Sequence, residues 1–146
     1  MNKRAIILLS VIAIVVLGFF YYRSQSNISS SIVNDFVNQK SDLIVVDNPR
    51  PNQVVTSPLE ISGKARGTWF FEADFPVRLY DVEGKEIAVG IAKAQGEWMT
   101  EEFVPFMATL TFETPLADKG ELVFEKSNPS DLPENADSLR IPVKFR

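Results

Sequence analysis

Cysteine and histidine are both missing from this chain of 146 residues. Without thiolates and imidazoles, the usual ligand sets for zinc, copper, haem and iron–sulfur clusters cannot be assembled. The Ser-His-Asp and Cys-His designs for nucleophilic catalysis are excluded for the same reason. No disulfide can form, so a folded domain must be held by its hydrophobic core. We therefore expect no cofactor, no metal and no enzymatic activity.

Acidic residues are also missing from the start of the chain, where no Asp or Glu precedes Asp35. Of the 15 basic side chains, Lys3, Arg4 and Arg23 lie in this part, which leaves 12 against 19 acidic ones and a charge of about −7 for the remainder. Because no basic patch is present to displace counterions from phosphates, nucleic acid is not an expected partner. A carboxylate pair for glycoside hydrolysis needs no histidine, but no spacing singles out two carboxylates.

An uncharged apolar run extends from Ala5 to Tyr22. As a helix it would be roughly 27 Å long, close to the hydrocarbon thickness of a bilayer. Lys3 and Arg4 precede it, and Arg23 follows it alone, so the positive-inside rule places the N-terminus in the cytoplasm. Residues 1–23 are thus predicted to be a single-pass transmembrane anchor in the cell membrane, with everything after them extracytoplasmic. A cleaved signal peptide is the alternative, although the run ends in aromatic residues rather than a small-residue cleavage site.

Residues 24–42 form a spacer rich in Ser and Asn, which we interpret as a polar stalk. Apolar residues recur at helical spacing within it, so a short amphipathic segment at the bilayer surface is the alternative.

The remaining residues, 43–146, alternate between short apolar runs and turn residues. Such runs recur at roughly ten-residue spacing, with no helical period between them. Glu83-Gly84 lies where a hairpin needs a residue with positive φ. The seven predicted strands cover residues 43–46, 59–65, 77–81, 86–92, 107–112, 121–125 and 139–145. The pattern predicts an all-β fold, an immunoglobulin-like antiparallel β-sandwich of about seven strands, preceded by the N-terminal transmembrane helix.

Several short motifs occur in this region in a fixed order. They are Asn48–Asn52, Ser57–Gly67, Phe75–Leu79, Asp81 with Gly84, Gly96–Trp98, Gly120 with Leu122, and Ile141–Val143. In this order and spacing the chain resembles the Gmad2 domain, an immunoglobulin-like domain of bacterial spore germination and sporulation proteins. The resemblance implies an extracytoplasmic sandwich without enzymatic activity, and it assigns no binding residues.

Trp69, Phe70 and Phe71 form the densest aromatic segment, with Arg66 close before it. Large rigid rings beside charges suit stacking on sugars or gripping a protein partner. Neighbouring residues of a strand point to opposite faces, so not all three rings can enter one core layer. We predict that at least one is directed to the surface or lies under a neighbouring loop, and that these four residues are the candidate recognition site. Packing in the core is the alternative interpretation.

Residues 125–137 are rich in side-chain oxygens, the ligands that calcium prefers, but their spacing does not match an EF-hand loop. A polar connection between the last two strands is the favoured interpretation. The sequence as a whole predicts a membrane-tethered, non-catalytic interaction module of the bacterial cell envelope, connected by resemblance with germination or sporulation. An envelope protein is the expected partner, and a cell-wall glycan bound by Trp69–Phe71 is the alternative.

Overall fold

The computed structural model describes residues 14–17 and 40–146. Residues 14–17 are helical, and the rest of the predicted anchor and most of the predicted stalk lie outside the described residues. Among the residues described, no helix has the length and apolar character that crossing a bilayer requires. The chain divides between Asp35 and Phe36 into two compact units. The second unit contains all the β-strands of the described residues.

Seven β-strands make up this unit, as the alternation predicted. They are β1 (Ile44–Asn48), β2 (Leu59–Arg66), β3 (Asp74–Asp81), β4 (Glu86–Ala94), β5 (Phe103–Leu110), β6 (Lys119–Glu125) and β7 (Ser138–Lys144). The predicted positive φ occurs at Gly84, where it is 80°. The start of β5 was predicted too late, at Met107, because Pro105 interrupts the sequence pattern although it lies within the paired strand.

The strands are antiparallel neighbours in the order β1-β2-β5-β4-β3-β6-β7. Between β4 and β5 only two residue pairs connect, Lys93 with Met107 and Ala94 with Phe106. This short junction is a corner, about which β1-β2-β5 fold over β4-β3-β6-β7 to form the two layers of the immunoglobulin-like sandwich.

Alternate residues of each strand point between the two layers. In β3, for example, Phe75, Val77 and Leu79 are fully buried, whereas the residues between them are partly exposed. The ring of Phe75 contacts Phe70 and Phe106 edge to face, with centroids 5.1 and 5.0 Å apart. No polar or charged residue is buried among those described, so packing of apolar side chains is the main stabilising contribution to this core.

A short segment after β1 crosses from one layer to the other. Val54 forms a parallel bridge with Lys144, and Val55 N donates to Lys144 O at 2.8 Å. The edge strand β7 is therefore partly covered on its outer side. Pro142, which cannot donate to a ladder, is tolerated in β7 because this strand lies at the edge of the sheet.

Candidate functional site

The aromatic segment divides sharply between core and surface. Trp69 and Phe70 are buried, with 2% and 4% of their surfaces exposed, whereas Phe71 is 44% exposed. The expectation that at least one ring is directed to the surface or lies under a loop is therefore confirmed. Phe71 is the member of the segment that can contact a ligand. Trp69 is a core residue, and its indole Nε1 has no hydrogen-bond acceptor among the described residues.

The segment is not extended, which explains how two adjacent rings are both buried. A 3-10 turn from Gly67 to Trp69 ends β2 and directs Trp69 into the core. A two-residue turn follows, in which Phe71 and Asp74 exchange backbone hydrogen bonds of 3.0 and 3.2 Å. Its central residues, Glu72 and Ala73, have φ values of 53° and 66°. Both left-handed residues are of types that rarely adopt this conformation.

The connection between β6 and β7 is attached to this turn. Ser127 N donates to Trp69 O at 3.0 Å, and Ser127 Oγ donates to Asp74 O at 3.1 Å. Lys126 N donates to Asp137 O at 2.8 Å and closes the neck of the connection. These bonds hold Phe71 beside the ends of β6 and β7, which are distant from it in sequence.

Phe71 lines a groove of about 760 Å³, which we call the Phe71 groove. Its wall has an apolar part and a polar part, and both are open to solvent. The lining residues are Lys40, Phe71, Pro76, Glu125, Lys126, Ser127, Asn128, Pro129, Ala136, Asp137 and Ser138. An aromatic face beside polar and charged groups is suited to binding either a peptide or a sugar.

Most charges in the Phe71 groove are compensated. Lys40 forms an ion pair with Asp137, and Glu125 Oε2 lies 3.0 Å from Arg78 Nε. Lys126, which is half-buried, forms no ion pair with any residue of the described chain. The groove therefore has one uncompensated positive charge within a domain that is acidic overall.

Next to the groove, Arg78 connects two strands of the outer face. Its guanidinium donates to Glu86 Oε2 on β4 at 2.7 Å and to Glu125 Oε2 on β6 at 3.0 Å. The hydrogen bond to Glu86 is the largest cause that holds the pKa of Arg78 above its ordinary value, and the hydrogen bond to Glu125 is the second. Partial burial raises the pKa of the neighbouring Tyr80 hydroxyl above its ordinary value. At neutral pH Arg78 is therefore charged and Tyr80 is neutral. The charged guanidinium binds the Glu125 carboxylate and fixes the position of this groove residue.

Arg66, the fourth predicted recognition residue, is not part of this groove. Its guanidinium donates to Asp42 O at 2.9 Å and to Glu101 O at 3.2 Å. It also lies over the Phe103 ring, 4.2 Å from the centroid. These contacts connect the start of the domain to the loop between β4 and β5, so the role of Arg66 in the described structure is to hold these two segments together.

The oxygen-rich connection between β6 and β7 uses its polar groups internally. Asn128 Nδ2 donates to Leu132 O at 2.9 Å, Ser130 Oγ donates to Asn128 Oδ1 at 2.6 Å, and Asn135 Nδ2 donates to Ser130 Oγ at 3.0 Å. Within residues 14–17 and 40–146, no three acidic side chains converge in a way that would hold a metal ion. Six residues of the connection line the groove, namely Lys126, Ser127, Asn128, Pro129, Ala136 and Asp137. The sequence pattern of this segment raises only calcium binding as a function and does not connect it with Phe71. No local signal identifies these six residues, because their position depends on strand pairing far along the chain.

Comparison with known proteins gives one match. The sequence model of Gmad2, described as the immunoglobulin-like domain of bacterial spore germination, matches residues 43–132. No curated protein and no solved structure matches the chain. The matched region begins just before β1 and extends into the connection that forms one wall of the Phe71 groove.

Proposed function

Because the chain belongs to the Gmad2 family of immunoglobulin-like domains, we propose that it is a non-catalytic interaction module of the bacterial cell envelope. Immunoglobulin-like domains are generally binding or structural units, although fold by itself does not decide function. The absence of cysteine and histidine from the whole sequence supports the non-catalytic part of the proposal. The family description connects the module with spore germination.

The proposed location follows from the first residues of the sequence. The apolar run from Ala5 to Tyr22 has the length of a membrane span, and the positive-inside rule places Lys3 and Arg4 in the cytoplasm. The β-sandwich is then held on the outer side of the cytoplasmic membrane by residues 1–23, with residues 24–42 as a stalk whose last residues, Lys40 and Asp42, contact the sandwich.

The exposed ring of Phe71 carries the proposal for where a partner binds. It lies at the surface beside the uncompensated charge of Lys126, in the Phe71 groove. Exposed aromatic side chains next to polar groups are common anchors of protein interfaces. An envelope protein that inserts an apolar residue against Phe71 and a carboxylate near Lys126 fits this arrangement best.

Site-specific photo-crosslinking tests this assignment in living cells of the source bacterium. We expect p-benzoylphenylalanine at position 71 of the full-length chain to form one discrete adduct with an envelope protein. The matched control is the same residue at position 116, because Leu116 is 95% exposed and lies away from the groove lining. Equal labelling from both positions, or no adduct from position 71, would contradict a protein partner in this groove.

A cell-wall glycan is the second candidate, since Phe71 also offers a face on which a sugar ring stacks. Here the full-length chain in detergent is sedimented with purified cell-wall sacculi. A glycan site predicts that the chain pellets, that Phe71→Ala stays in the supernatant and that Leu116→Ala still pellets. Substitution of Trp69 is unsuitable for this test because that residue is in the core. If all three chains stay in solution, the glycan hypothesis is wrong.

A further inference from the structure

Strand β4 has an open edge along most of its length. On one side it pairs with β3 from Lys93 to Glu86. On the other side its pairing with β5 stops after Lys93 and Ala94. Between Glu86 and Ala92, β4 has no strand partner on this second side among residues 40–146. An unpaired strand edge offers a row of backbone donors and acceptors to another chain.

The register shows which residues present these groups. Ala94 N donates to Ala73 O at 2.8 Å, so Ala94 directs its backbone groups towards β3. In an antiparallel ladder this direction alternates from residue to residue, so Ala92 and Gly90 also face β3. Val89 and Ile91 therefore direct their N–H and C=O groups to the open side. Their side chains are 53% and 46% exposed.

The chain's own β5 is not placed to close this edge. A Cβ built on Gly90 would lie 3.3 Å from Leu110 Cδ2 and 3.3 Å from Thr109 O. Those contacts are in the direction of a side chain, not in the hydrogen-bonding direction of the strand. Beyond the corner, the end of β5 therefore lies over the inner face of β4, in the other layer of the sandwich. It does not continue the backbone ladder with β4.

The charges around the open edge decide what kind of strand fits. Lys85 and Lys93 are exposed at its two ends, and neither forms an ion pair with a described residue. The nearby Glu86 carboxylate is held by Arg78. The five residues from Ile87 to Ile91 are uncharged. A second copy pairing antiparallel about Val89 would oppose Lys85 with Lys93, and like charges opposite each other are destabilising.

We propose that the open edge of β4 binds an extended segment of a partner protein by β-strand addition, and that this segment is apolar at its centre and acidic at both ends. Backbone hydrogen bonds to Val89 and Ile91 provide affinity, and contacts with their side chains and with the two lysines provide specificity. This goes beyond the function proposed above, because the edge is a different surface from the Phe71 groove and needs no ligand there.

The test uses the full-length chain in detergent and a labelled nine-residue peptide, Glu-Ser-Val-Thr-Val-Thr-Val-Ser-Glu, capped at both termini. Binding is followed by fluorescence anisotropy, and protection of residues 87–91 by hydrogen exchange and mass spectrometry. We expect the peptide to bind at least about tenfold more tightly than the same peptide with lysine at both ends. We also expect it to slow exchange in residues 87–91.

Val89→Pro is the decisive variant, because it removes an N–H that the fold does not use and should abolish binding. Its matched control is Val82→Pro. Val82 is 66% exposed and is the first central residue of the turn in which Gly84 N donates to Asp81 O, a position where proline is favoured. A second variant, Lys93→Glu, changes only an exposed side chain and should shift the preference towards the lysine-ended peptide.

Three outcomes would overturn the proposal. The first is equal binding of both peptides. The second is protection confined to the residues of the Phe71 groove. The third is protection of residues 87–91 that rises with protein concentration in the absence of peptide, which would identify a second copy as the occupant. The outcome at β4 does not depend on photo-crosslinking at position 71, so failure of either assignment is recognised separately.

Discussion

Gly67 is one of the positions at which this fold leaves no room for a side chain. It follows the last residue of β2 and lies against the loop between β4 and β5, where a Cβ would be 2.0 Å from Thr100 O and 2.2 Å from Trp98 O. Both atoms belong to the backbone, so they cannot rotate away as a flexible side chain would. Because Gly67 has no side chain, the chain can pass close to these carbonyl groups and enter the 3-10 turn that directs Trp69 into the core.

We expect Gly67→Ala to lower the free energy of unfolding by about 3 kcal/mol, since a buried overlap of this kind requires the backbone to shift. Urea unfolding followed by tryptophan fluorescence measures the change. Gly96→Ala is the matched control, because a Cβ at Gly96 meets no atom within 4 Å. Its effect should stay within about 0.5 kcal/mol. Similar losses for both variants would show that Gly67 is not a site of steric exclusion.

At the scale of elements, the turn from Phe71 to Asp74 positions the exposed ring. Its two central residues adopt left-handed conformations that asparagine and glycine would occupy with less strain. A sequence optimised only for stability would have such residues here. The strained turn directs the Phe71 ring to the groove, while its backbone bonds remain those of a regular hairpin.

Ala73→Gly should raise the free energy of unfolding by about 0.5–1 kcal/mol, because relief of the left-handed alanine exceeds the entropy that glycine loses on folding. Ala136→Gly is the control. Ala136 is exposed with φ of −74°, so glycine there should lower the free energy by about 0.5 kcal/mol. Opposite signs in thermal or urea unfolding would support the turn geometry. A loss of stability in both variants would contradict it.

At the scale of the whole molecule, the feature to test is the proposed N-terminal membrane anchor that precedes the β-sandwich. We predict that the full-length chain stays in the membrane pellet after extraction at high pH, because the proposed anchor has the apolar length that a bilayer retains. In spheroplasts, trypsin added from outside should degrade residues 40–146, and trypsin enclosed in the cytoplasm should not.

The matched control for this prediction is a chain in which Leu9 and Val15 are both replaced by arginine. Each arginine near the middle of a span costs about 2.5–3.5 kcal/mol on insertion scales, so this variant should leave the membrane fraction. Recovery of the unaltered chain as a processed protein free of the membrane would instead indicate a cleaved signal peptide.

The sequence was sufficient to predict the seven strands because an exposed face and a buried face produce strict alternation, as from Leu59 to Arg66. It was less informative where proline broke the alternation, so the start of β5 was misplaced. The corner between β4 and β5 could not be predicted, because it depends on which distant strands pair. The open edge of β4 is a consequence of that corner.

By itself, the sequence determined the class of the fold, the family, and the absence of histidine and cysteine chemistry, since these depend on composition and on short-range order. It also identified an aromatic segment of which at least one ring was expected at the surface or under a loop. Only the tertiary structure decided that this ring is Phe71, that Trp69 and Phe70 are in the core, and that Arg66 is not in the groove. The reason is physical: a 3-10 turn replaced the expected strand, and contacts with the distant connection between β6 and β7 determined which side chains solvent reaches.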